Sequence, residues 1–129
     1  MKLLSIRALA MGAIALMALS IGAQNARAED AGTKNFTIVA EKIGNTKFWL
    51  PSTIIVDQGD KVKLKLVNDI EGEPNQHGFS IPAYNVTELV TRGTPVMVDF
   101  TADKPGVFPF ICQLHPAHIG GQLVVHKPN

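Results

Sequence analysis

Cysteine is almost absent. Cys112 is the only one in 129 residues, so no disulfide framework within the chain can hold the fold together. Charge is scarce too, at 18% of residues with a formal net of +1, which excludes a highly charged disordered tail. No cluster of arginines occurs, and phosphate recognition rests on concentrated Lys and Arg, so nucleic acid is excluded as a partner. Methionine is thinly spread: Met1, Met11 and Met17 fall near the start, and Met97 alone lies further on. The length suits one domain.

What the chain does have is an apolar opening. Lys2 and Arg7 precede an acid-free run from Ala8 to Ala23, and Ala26-Arg27-Ala28 then supplies small residues at an A-x-A cleavage site. Residues 1–28 are therefore expected to be a secretory signal peptide. As a helix, residues 8–23 would span about 24 Å, short of the roughly 30 Å hydrocarbon core, so no membrane span is expected after cleavage. No Cys at the cleavage site offers a lipid anchor, and one Arg offers no twin-arginine signal. The expected destination is the periplasm, reached unfolded, with any metal loaded there. Cleavage removes three basic residues and no acidic one, leaving 101 residues with a net charge of −2. A chain near that length buries one core only as a compact sandwich, barrel or bundle.

Glu29 to Lys34 is polar and aperiodic, which predicts a flexible lead-in over 29–34 and a folded domain over 35–129. Within that domain the apolar residues repeat every second position. Phe36, Ile38 and Ala40 share one face; Val62, Leu64 and Leu66 share another while Lys61, Lys63 and Lys65 point away. Val96, Val98 and Phe100 repeat the pattern, and Gly, Pro and Asp punctuate the intervals. No convincing helical period appears after residue 28. Seven to nine short strands at this spacing predict an all-β, antiparallel Greek-key β-sandwich. The lysine stripe reads as a solvated strand face in preference to a docking face for an acidic partner.

Chemistry concentrates in Cys112-Gln113-Leu114-His115-Pro116-Ala117-His118. A thiol and two imidazoles within seven residues, on a loop between two apolar strands, can converge on one ion, and these donors suit copper or zinc. His77 offers a remote fourth donor that only the fold can bring near. A lone Cys can also be an inert buried thiol. A Cys–His nucleophile needs an orienting third group and an oxyanion hole, and no local signature supplies them. His126, beside the terminal Lys127-Pro128-Asn129, reads as a surface residue.

The run His77-Gly78-Phe79, the stretch FTADKPGVFPFICQLHP from Phe100 to Pro116, and Gly120-Gly121-Gln122-Leu123-Val124-Val125 together resemble the cupredoxins, small copper-binding β-sandwich proteins. Through GFSI, FTADK and CQLHP the chain is most similar to nitrosocyanin-like members. The resemblance implies one copper ion per chain and gives His77, Cys112 and His115 as ligands. In short-loop members the weak axial Met lies three residues after the second His, where this chain has His118. Met97 sits mid-strand, facing away from Val96 and Val98. The implied site is therefore Cys plus three His. Many blue cupredoxins follow the first His with an Asn that braces the Cys loop; Gly78 stands there instead, which leaves Asn68, Asn75 or Gln113 for the role.

A copper protein of this kind is expected to carry electrons by Cu(I)/Cu(II) cycling with a redox partner protein; Leu114, Pro116, Ala117 and Ile119, which carry no charge, form either an apolar patch around His115 for that partner or ordinary loop packing. A nitrosocyanin-like catalytic or small-molecule-binding site, with Glu71 and Glu73 as nearby acids, and a copper delivery or storage protein are the alternatives.

Overall fold

The computed structural model describes residues 31–128, so the expected signal peptide and the first two residues of the lead-in lie outside it. Nine strands follow one another: β1 (Thr33–Ile43), β2 (Thr46–Leu50), β3 (Thr53–Asp57), β4 (Lys61–Asn68), β5 (Gln76–Ile81), β6 (Val86–Thr91), β7 (Val96–Thr101), β8 (Gly106–Phe110) and β9 (Gly121–His126). One 3₁₀ turn, Pro82–Tyr84, separates β5 from β6, and no α-helix occurs among the described residues. No helix there is long and apolar enough to cross a membrane.

The alternation in β4 shows why these segments become strands. Val62, Leu64 and Leu66 are fully buried while Lys61, Lys63 and Lys65 are exposed, as a pleated strand with one face on a core requires. The strands form a sheet ordered β2-β1-β4-β7, a second ordered β3-β9-β8, and the hairpin β5-β6. The hairpin joins the end of β8 through paired backbone bonds of 2.9 Å between Ser80 and Ile111. Inward residues of both layers, among them Ile38, Trp49, Leu66, Ile54, Phe110 and Leu123, make one continuous core. Trp49 meets Phe79 edge-on at 5.2 Å, and Phe79 meets Phe110 at 5.3 Å.

The β-sandwich is the fold that the strand spacing and the cupredoxin resemblance predict, but its sheets are mixed. β1 runs parallel to β4, and β3 parallel to β9. Periodicity reports which face of a strand is buried; it is silent on the direction of the neighbour. The chain leaves the first sheet at Pro51-Ser52, crosses as β3, and returns at Gln58-Gly59-Asp60 to lay β4 beside β1 in the same direction.

A second correction concerns the lead-in, whose last two residues, Thr33 and Lys34, already belong to β1 and pair with Lys61 and Val62. The buried carboxylate of Asp60 holds that end. It accepts from Gly32 N at 2.9 Å and Asp57 N at 2.8 Å, while Lys61 N donates to Gly32 O. A carboxylate gathering backbone donors from two segments fixes a polar sequence that has no apolar rhythm of its own.

Candidate metal centre

Strand alternation places His77 on the same inward face as Phe79 and Ile81, both fully buried. Phe79 is locked between Trp49 and Phe110, so β5 cannot rotate, and His77 is carried to full burial at the edge of the core. Neither His77 nitrogen has a hydrogen-bond partner in the protein. Buried polar atoms are normally paired, and a metal ion would supply a partner for the ring nitrogen that carries the lone pair.

The other donors come from residues 112–118. Ile111 is bonded to Ser80 at one end, and at the other Ile119 N donates to Lys47 O at 2.9 Å and Ile119 O accepts from Trp49 N at 3.4 Å. Between these anchors the chain makes two consecutive turns that share His115. His115 N donates to Cys112 O at 3.2 Å, and His118 N donates to His115 O at 3.0 Å. Turn ends approach within about 7 Å, so a turn repeated every three residues brings Cys112, His115 and His118 together. Pro116 occupies the second position of the second turn, where its fixed φ is favoured. The sequence carried this device in the three-residue spacing.

Ligand atoms of His77, Cys112, His115 and His118 all lie within 4.8 Å of one another. Cys112 Sγ is 3.7 Å from His115 Nδ1. The His115 and His118 rings stack with centroids 4.6 Å apart, and His77 lies 5.0 Å from His118 and 5.6 Å from His115. Bonds of about 2.0–2.3 Å to a transition ion span such separations with small side-chain adjustment. Cys112 and His77 are buried, and His115 and His118 are partly exposed.

The surroundings disfavour protonation of His77 and His118. Burial, then His118, Lys47 and His115, lower the pKa of His77 from 6.5 to about 4. Burial, then His115 and Lys47, also lower that of His118. Neutral imidazoles are the ligating form. Lys47, on β2, is a contributor that the sequence pattern did not reveal, because only the packing of β2 on the loop brings its charge near. The sulfur has its own donor: Gly78 N lies 3.2 Å from Cys112 Sγ. Asn68 and Asn75 do not brace the thiol; Asn68 Nδ2 donates to Asn75 O and Val90 O, holding the 69–75 loop and β6 instead.

Leu114, Pro116, Ala117 and Ile119 are exposed rather than packed inward. His126 is exposed at the end of β9, 4.0 Å from Asp57. Met97 is exposed mid-strand. These positions keep both outside the group of four donors.

The sequence profile of the cupredoxin-like domain family matches residues 10–125. The nitrous-oxide reductase of Cupriavidus necator is 44% identical over 64 residues, which make up 48% of this chain and 10% of that protein. A copper nitrite reductase structure from Nitrosomonas europaea superposes with a TM-score of 0.66 at 21% identity, over 75% of this chain and 42% of that one. Auracyanin A, a "blue" copper protein of Chloroflexus aurantiacus, superposes with a TM-score of 0.57 at 19% identity, over 74% of this chain and all of that one. At these identities the two structures speak for the fold.

Proposed function

The chain belongs to the cupredoxin-like domain family, and from that premise we propose that it is an exported, periplasmic protein with one copper ion per chain that carries electrons between partner proteins. The observation behind this reading is the convergence of His77, Cys112, His115 and His118 within 4.8 Å. Thiolate and imidazole are donors that copper takes readily. Copper bound there supplies one-electron Cu(I)/Cu(II) chemistry.

The protein's own residues prepare for that use. Gly78 N–H stabilises negative charge on the Cys112 sulfur, and burial keeps His77 unprotonated at neutral pH. The doubly anchored loop holds its donors in place, so a change of oxidation state demands little movement. Four protein donors fill a four-coordinate site, whereas a catalytic centre keeps a position open. Leu114, Pro116, Ala117 and Ile119 offer a partner an apolar landing beside the partly exposed His115. The nitrous-oxide reductase, copper nitrite reductase and "blue" copper protein that the chain resembles fit a redox setting. Because the chain spans a tenth of the nitrous-oxide reductase, that enzyme's reaction is not carried over.

The test is metal analysis, absorption and paramagnetic resonance spectra of the copper-loaded protein, followed by electron exchange with small redox mediators. Reversible cycling with one ion per chain is expected. A protein that releases Cu(I) to a competing chelator without cycling is a delivery or storage protein. A native form holding only zinc rejects the copper reading, and turnover of a small molecule favours a nitrosocyanin-like role.

A further inference from the structure

Gln113 follows the thiol directly, and its side chain turns inward. Its Nε2 donates to Glu88 O on β6 at 2.9 Å. That bond fixes the orientation of the amide, since a carbonyl must face the NH₂ group and not the oxygen. Oε1 is then buried, with no partner in the protein. The same amide lies over the Cα of Gly78. A β-carbon on residue 78 would stand 2.5 Å from Gln113 Cδ and 2.9 Å from its Nε2, so the amide at the end of that side chain would have to move away. Gly78 is not in the left-handed region, so what glycine gives here is room for the amide and not a special backbone conformation. Gly78 is also the residue whose N–H reaches Cys112 Sγ.

The geometry points to Gln113 as a positioning residue that presses the Gly78 N–H onto the Cys112 sulfur and ties the ligand loop to the β5–β6 hairpin carrying His77. This rests on the copper reading for its consequence: an N–H held on the sulfur withdraws charge from it and weakens it as a donor to Cu(II). Removing the tie leaves a stronger, less constrained thiolate. Groups that support metal ligands in this way change metal affinity by about 10–100-fold when lost.

The experiment compares wild type, Gln113→Ala, Gly78→Ala and the double variant. Gln113→Met is added because it fills the space without the hydrogen bond and keeps the test open if the Ala variant does not fold. In metal-free protein, Gln113→Ala should make the Gly78 amide exchange with solvent about 10-fold faster in hydrogen–deuterium exchange, about the protection of one hydrogen bond. With copper bound, its thiolate band should shift and its reduction potential fall. Gly78→Ala should be worse than Gln113→Ala, because the new methyl expels the amide. Removing the amide as well should bring the double variant back to the Gln113→Ala level. The rescue checks the contact between the amide and residue 78, which a purely local packing defect would also give; such a defect would not move the potential. Unchanged amide exchange and spectrum in Gln113→Ala and Gln113→Met, or a double variant no better than Gly78→Ala, overturns the assignment. If wild type shows no thiolate band, the copper reading fails, and the metal-free exchange series still decides the role of Gln113.

Discussion

Replacing His77 with Leu should make the metal-free protein more stable, and increasingly so as the pH falls. His77 is fully buried and both its nitrogens lack partners. An unsatisfied buried polar group costs about 1–3 kcal/mol, so an apolar side chain of similar size should recover at least about that much at pH 7. Protonation adds a second effect. An unfolded imidazole takes a proton near its ordinary 6.5, whereas the folded one resists until about 4. Between those values the unfolded state binds more protons, so wild-type stability declines as pH drops through the window. Linkage gives a loss of about 2 kcal/mol from pH 7 to pH 5 and about 3 kcal/mol by pH 4. His118 titrates in the same direction and leaves a residual slope in the variant. Urea unfolding of both metal-free proteins, at intervals from pH 7 to pH 4, measures the gap. Parallel stability curves for wild type and His77→Leu, or a variant less stable at every pH, would refute the reasoning.

Cys112→Ser should abolish the intense visible band of the Cu(II) protein, since the only thiolate is gone; persistence of the band in the absorption spectrum rejects Cys112 as ligand. His118→Met should move absorption toward that of blue sites and raise the potential, because imidazole favours Cu(II) more than thioether does; a tenfold change in equilibrium is about 59 mV for one electron, well within voltammetry. If His118→Ala and His118→Met both leave spectrum and potential unchanged, the three-histidine site is abandoned. Asn68→Ala removes the bonds to Asn75 O and Val90 O and orphans Ile70 N, costing about 2–4 kcal/mol by thermal or urea unfolding. A cost below about 0.5 kcal/mol would mean that water replaces all three. Mass spectrometry of the secreted protein should find a chain beginning at Glu29, and an intact Met1 refutes the expected cleavage.

The strands were legible because each leaves a two-residue rhythm in the sequence: β4 alternates Val, Leu and Leu with three lysines, and β7 presents Val96 and Val98 against exposed Met97. The mixed direction of the sheets was not legible, since a strand buries the same face whichever way its neighbour runs. The start of β1 was hidden for another reason. A buried acid 28 residues away holds Gly32, and a local pattern cannot register that partner. At the metal centre, Cys112, His115 and His118 announce themselves by proximity and by the three-residue step of the turns. The neighbourhood of Lys47 and the amide of Gln113 lying over Gly78 depend on which strands meet, and no spacing encodes that.

The two backbone anchors of the ligand loop have a consequence for how such proteins diversify. Ile111 and Ile119 are held to Ser80 and Lys47 by main-chain groups alone, so neither junction depends on which side chains lie between them. Residues 112–118 are therefore a cassette: selection can exchange a donor within it and leave the strand register untouched. A further three-residue turn placed between the anchors would set one more corner beside the others. Coordination number and metal preference can thus drift in a lineage while the strand register holds, with Gly78 and β6 answering to the cassette through Gln113.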